Sequence, residues 1–161
     1  MAAGPHLRPC AFSLTATAGV TVSLSNAALN TGDAAGDTFV FISNLRGSQF
    51  NDTLIGDGSN NVLNGFGTHD SGSDILTGNG GADTFIFSGG HVTITDFSHS
   101  DSDLIDLSFL NFGTGITPTE LQAIISAAPD AHTLDFGNGQ VITVANATVS
   151  TLQSNDFILH H

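Results

Sequence analysis

The chain has 161 residues, fifteen acids against two arginines and no lysine, and a formal net charge of −13. That balance repels nucleic-acid phosphates and anionic membrane surfaces, so neither is an expected partner, and it suits multivalent cations. An apolar content of 40% argues against wholesale disorder, the lone Cys10 excludes an internal disulfide, and no run approaches the roughly eighteen apolar residues of a membrane span.

Residues 1–18 read as an irregular or artificially added start, and MAAGPHLRPCAF lacks the apolar stretch of a cleavable secretory leader. An alternating strand pattern follows at Val20, Val22 and Leu24. From Gly32 a repeat begins. Five units align on a sixth position occupied by Asp37, Asp52, Asn61, Asp74 and Asp83. Their first position is always glycine (Gly32, Gly47, Gly56, Gly65, Gly78), and their eighth is large and apolar (Phe39, Leu54, Leu63, Leu76, Phe85). The six residues FISNLR read as an insertion after the first unit, and four extra residues around THDS interrupt the fourth.

Each unit turns the chain over six positions and makes a very short strand with the remaining three. Two units complete one coil, so a unit stacks on its second neighbour. Such a coil hides one thin apolar stripe, too little to offset an ordering cost of roughly 1–2 kcal/mol per residue. Stacking also brings position-six carboxylates together, and two bare carboxylates at about 4 Å repel by roughly 4 kcal/mol at an effective dielectric near 20. A hard dication that accepts carboxylate and carbonyl oxygens reverses that sign.

These units resemble the RTX nonapeptide, G-G-x-G-x-D-x-U-x with U large and apolar. GNGGADTFI at 78–86 departs from it only at position two. GDGSNNVLN at 56–64 and GSQFNDTLI at 47–55 lack the glycines at positions two and four, and GDAAGDTFV at 32–40 diverges most. The resemblance implies an all-β fold: a parallel β-roll, or two-sided β-helix, over residues 19–89. It places the 56 and 78 turns, with the 32 turn, on one side and the 47 and 65 turns on the other.

The resemblance also implies calcium, about two to four ions, held between stacked turns by position-six side chains and turn carbonyls. Carried over, one site takes Gly56, Gly58, Asn61, Asn79, Gly81 and Asp83. A second takes Gly47, Gln49, Asp52 and Asp74, with the inserted Asp70 as a substitute ligand. A third joins Gly32, Ala34 and Asp37 to Asp57, Ser59 and Asn61. The neutral oxygen of Asn61 implies weaker binding.

Residues 90–159 read as a small β-rich cap. Thr117-Pro-Thr-Glu120 is a capping box that starts a helix near 118–128, with Leu121, Ile124, Ile125 and Ala128 on one face and Pro129 as its stop. HTLDFGNGQVITV reads as a hairpin and DFIL at 156–159 as a last strand. The order ADTFIF, VTITDF, DLIDLS, helix, hairpin, strand resembles the C-terminal region after the roll in serralysin-type proteases and other type I-secreted proteins. That family exports through a C-terminal signal without N-terminal cleavage. The implied setting is a secreted, extracellular domain whose partners are calcium, the type I secretion machinery and an N-terminal domain of a larger protein. His160 and His161 read as the start of a purification tag.

Asp96, Asp101, Asp103 and Asp106 read mainly as solvated or turn-capping carboxylates, a further calcium site being the other reading. Ile55, Val62, Ile75 and Ile86 read as packing against adjacent segments. His69, His91, His99 and His132 lack zinc spacing and read as scattered surface residues. HEXXH and the G-x-S-x-G elbow are absent, so no catalytic residue is nominated and any chemistry is expected in the N-terminal partner. A carbohydrate-binding or adhesive extracellular module with structural calcium is the alternative, drawn from polar flat faces without a Trp or Tyr platform.

Overall fold

A computed structural model describes residues 10–11, 16–66, 72–110, 116–127, 132–146 and 151–159. Its strands are β1 (Cys10–Ala11), β2 (Thr21–Ser23), β3 (Asn44–Arg46), β4 (Thr53–Ile55), β5 (Val62–Asn64) and β6 (Ser73–Thr77). They continue as β7 (Thr84–Ile86), β8 (His91–Ile94), β9 (Leu104–Asp106), β10 (Thr133–Asp135), β11 (Val141–Val144) and β12 (Phe157–Ile158), with one helix, α1 (Pro118–Ala127).

Successive strands from β2 to β9 alternate between two six-stranded sheets, one ordered β1-β3-β5-β7-β9-β12 and the other β10-β11-β8-β6-β4-β2. Each therefore pairs in parallel with its second neighbour, as a two-sided coil requires. Register aligns the apolar position of every turn. Leu45, Leu63, Phe85 and Ile105 form one column, which Phe157 extends, and Val22, Leu54, Leu76 and Ile94 form the other. In β3, β4, β5, β7 and β9 only the middle side chain is buried. One buried Leu or Phe contributes roughly 1.5–3 kcal/mol, against an ordering cost of roughly 1–2 kcal/mol for each residue of its unit. Each winding thus hides little apolar surface for the residues it orders.

The side chains flanking that stripe face outward. Ile55, Val62 and Ile86 are half-buried and Ile75 is exposed. Their cross-strand partners include Thr77 beside Ile55 and Thr84 beside Val62.

The first repeat unit is not a winding of this coil. Gly32–Ala34 forms a short 3-10 turn, and the Asn30 side chain ties this segment to β2 by accepting from the Ser23 N–H at 2.7 Å. Asn30 Nδ2 also donates to the Asp37 carbonyl at 2.9 Å. These bonds turn the 26–37 segment back onto β2. The strand that pairs with β5 is β3, inside the apparent FISNLR insertion, with Leu45 rather than Phe39 in the column.

Both sheets run on past residue 94. β8 and β9 add a winding, β11 joins β8 in parallel, and β12 joins β9. The β10–β11 hairpin turns through left-handed Gly137, Asn138 and Gly139 (φ 79°, 54° and 75°). Thr117 and Glu120 cap α1 reciprocally: the Thr117 N–H donates to Glu120 Oε2 at 2.8 Å and the Glu120 N–H to Thr117 Oγ1 at 3.2 Å. Leu121 and Ile125 are buried beside Leu134, Phe136, Ile142 and Val144, and Phe136 meets Phe87 of the coil at a ring-centroid distance of 5.7 Å. Ala128 and Pro129 lie outside the described residues, as do residues 1–9 and 12–15, His69, Asp70 and the terminal histidines. Among the described residues no helix is long and apolar enough to cross a membrane.

Candidate metal centre

The turns between strands form two stacks. Residues 47–52 lead from the first sheet into the second, Gly65 and Phe66 leave β5 in the same direction, and residues 56–61, 78–83 and 96–103 lead back. Within a turn the position-six side chain folds back over the position-one glycine. The Ser48 N–H donates to Asp52 Oδ2, and the Ser48 hydroxyl donates to Asp52 Oδ1 at 3.0 Å. The Asp57 N–H likewise donates to Asn61 Oδ1 at 2.8 Å.

Between turns, the aspartates Asp52, Asp74, Asp83 and Asp103 accept from the backbone of the winding before them, whereas Asn61 donates to it. The Val20 N–H donates to Asp52 at 2.8 Å and the Asp52 N–H to Asp74 at 3.0 Å. In the other stack the Asn61 N–H donates to Asp83 at 2.8 Å and the Asp83 N–H to Asp103 at 2.9 Å. Two ladders of polar side chains thus run along the coil. Asp52, Asn61, Asp74, Asp83 and Asp103 are at most 4% exposed.

The glycines at position one exist for this packing. A Cβ on Gly47, Gly56, Gly65 or Gly78 would lie 2.0–2.3 Å from the position-six oxygen of its own turn. On Gly47 and Gly56 it would also lie 2.6 Å from the carbonyl oxygen of Gly65 or Gly78 in the next winding. Backbone oxygen, position-six oxygen and an absent side chain therefore meet at one point, which is a donor set of the oxygen-only kind that hard cations take. The charge is uncompensated there. None of the four aspartates forms an ion pair among the described residues. Burial pushes the Asp74 carboxyl up to about 6, and the neighbouring Asp52 charge adds to this against the restraining hydrogen bond from the Asp52 amide. Burial likewise raises Asp83 to about 6, with Asp103, Asp96 and Asp57 as like charges nearby. Asp103 is also raised, chiefly by burial. No group of three or more His, Cys, Asp or Glu side chains converges on a metal position among the described residues. A cation in these turns must therefore draw much of its shell from backbone carbonyls.

The structure brings together Gly47, Asp52 and Asp74 in one stack and Gly56, Asn61 and Asp83 in the other. Asn79 Nδ2 donates to the Gly56 carbonyl at 2.9 Å, and the Gly80 N–H to that of Asp57 at 3.2 Å, which locks the 78 turn over the 56 turn. Gly81, at φ +101°, rides directly on Ser59, whose carbonyl oxygen would be 2.8 Å from an added Cβ. Gln49, Gly58 and Ser59 are exposed at the turn tips. Asp37 does not join the ladder. It is exposed on the segment folded against β2, and Ser43 stands where the stacking requires a sixth position, its carbonyl accepting from Asn61 Nδ2 at 3.2 Å. Asp70 lies outside the described residues.

Asp103 corrects the reading of the acidic stretch. Asp96 does cap a turn, accepting from the Gly78 and Asn79 N–H groups at 2.9 and 2.7 Å, and Asp106 accepts from Ser108 at 2.8 Å. Asp103 is instead a buried rung of the ladder. Its signal was its place two residues before Ile105, as Asp83 precedes Phe85, masked by Ser98 where the other turns have glycine. His99 is exposed, as its reading as a surface residue has it, and its ring meets the buried Asp156.

Fold and turn chemistry together define a parallel β-roll with oxygen-lined, acid-bearing turns. Residues 44–65 and 70–94 match the family model of the RTX calcium-binding nonapeptide repeat, in four copies. The chain thus carries a region of RTX calcium-binding repeats. No curated protein matches the chain.

Proposed function

We propose that this is the calcium-binding roll of a secreted protein, which folds on meeting calcium outside the cell and supports type I export and the stability of an N-terminal partner domain. One site uses Asp52 and Asp74 with the carbonyls of Gly47 and Gln49. Another uses Asn61 and Asp83 with carbonyls of Gly56, Gly58, Asn79 and Gly81. Asp83 with Asp103 frames a further candidate beyond the matched repeats. Bound calcium supplies positive charge to carboxylates whose ionised form burial disfavours. The chain's part is to aim oxygens and, through the position-one glycines, to let successive windings close on the ion.

The observation that carries this reading is the buried, unpaired ladder of aspartates over glycines that tolerate no side chain. Where free calcium exceeds a site's dissociation constant about a hundredfold, that site contributes roughly 2.7 kcal/mol. Two or three such sites reach the whole stability of a small domain, about 5–15 kcal/mol. In a calcium-poor cytosol the acidic chain stays loose, and metal binding and folding are one event. Calcium titration followed by calorimetry and circular dichroism tests this. Stoichiometric binding with a parallel gain of β signal supports it, and a fully folded, chelator-resistant calcium-free chain counts against it.

A further inference from the structure

The ladder that holds β12 to the coil is short, with Phe157 and Leu159 packed on the core beside it. The ladder covers two residues, Phe157 beside Ile105 and Ile158 beside Asp106, and the Leu107 N–H donates to the Ile158 carbonyl at 3.0 Å. Yet Phe157 is buried as the last rung of the first sheet's apolar column. The extra hold comes from the residue before it. Asp156 is 2% exposed, and its Oδ2 accepts from the Gln153 N–H at 2.7 Å. Its Oδ1 meets His99 Nδ1 at 2.5 Å, across 57 residues of sequence. A carboxylate so buried needs its donors, and losing one leaves a costly unsatisfied charge.

His99 opens the turn that carries Asp103. The Ser98 N–H donates to Asp103 Oδ2 at 2.8 Å, and the Asp101 and Asp103 N–H groups donate to the Ser98 carbonyl at 3.2 Å. Asp103 Oδ1 in turn accepts the Asp83 N–H at 2.9 Å. An unbroken series of contacts therefore joins Asp83, Asp103, Ser98, His99 and Asp156 to β12.

The geometry points to a calcium-set latch: an ion held at Asp83 fixes the 98–103 turn, and that turn, through His99 and Asp156, holds β12 against the first sheet. The latch rests on the calcium reading proposed above. Without the ion, the buried carboxylates of Asp83 and Asp103 repel each other, the 98–103 turn loosens, His99 withdraws from Asp156, and the two-residue ladder is too short to keep β12 docked. Calcium thereby regulates access to the chain beyond residue 151. Linkage makes the effect reciprocal, so that a docked β12 favours ion binding at Asp83.

Hydrogen exchange read by mass spectrometry on the full chain, in calcium chloride and in chelator, tests the latch. In the unaltered chain calcium slows exchange both at 61–86 and at 157–158. In His99→Ala calcium still slows 61–86, but 157–158 exchanges at least tenfold faster than in the unaltered chain, and Asp156→Ala does the same from the other side. If 157–158 is equally protected in both variants, or stays protected in chelator while 61–86 opens, the latch is wrong and the calcium reading stands. If calcium slows exchange nowhere, both fall.

Discussion

The repeat windings at 44–94 and the cap built from α1, β10 and β11 use opposite means of cohesion. Each three-residue strand of the windings buries one apolar side chain and sits beside a buried aspartate or asparagine. The cap buries Leu121, Ile125, Leu134, Phe136, Ile142 and Val144 around a helix and hairpin, with Gln140 as its buried polar side chain. The cap thus has an ordinary apolar core, whereas under the proposed function the windings depend on cations to offset their acids. The difference teaches that one continuous pair of sheets can join windings built on buried polar ladders to a cap built on an apolar core.

The largest expected effect is metal removal. Chelation should abolish hydrogen-exchange protection over 53–86 while protection at 133–144 falls much less, a gap of roughly 2.7 kcal/mol per emptied site at hundredfold saturation. Equal loss in both segments would erase the contrast. Next comes a core truncation on each side. Leu134→Ala should cost about 2–5 kcal/mol in denaturant melts with or without calcium. Leu63→Ala should cost as much in calcium and almost nothing in chelator, where its winding is already open.

A smaller contrast lies within one turn. Gly56→Ala places a Cβ 2.1 Å from Asn61 Oδ1 and should cost about 1–3 kcal/mol in the calcium-loaded chain. Gly58→Ala meets nothing within 4 Å and should stay within about 0.5 kcal/mol. Calcium calorimetry and thermal melts of the two variants check this.

The pH response is subtler. Burial raises Asp74 and Asp83 from 3.8 to about 6. Between those values the folded chain holds protons that the unfolded chain has released. Their contribution is fully present below pH 3.8 and lost as pH rises through about 6. Circular dichroism in chelator should therefore show more β signal near pH 4 than near pH 7. Because calcium must displace those protons, its apparent affinity should weaken as pH falls below about 6.

Much of this was legible in the residues. The interval from Asp52 to Leu54, repeated at Asn61–Leu63 and Asp83–Phe85, fixed which side chains stack, because a strand's alternation admits one inward residue per unit. Gly137-Asn138-Gly139 marked the hairpin for the same local reason. The misreadings came where local letters and long-range pairing disagree. GDAAGD kept the spacing of a unit, but hydrogen bonds from Asn30 drew it onto β2, and Leu45 took its place. Asp103 lacked the glycine that marks its fellows. The meeting of His99 with Asp156 joins two turns 57 residues apart, and no local pattern announces it.

The most direct test is the anomalous diffraction signal of crystals grown in calcium. Peaks should lie between the stacked turns, within ligand reach of Asp52 and Asp74 on one side of the roll and of Asp83 on the other. Turns stacked as described but without such peaks, their carboxylates held by protein donors alone, would contradict the claim that cations hold the windings together.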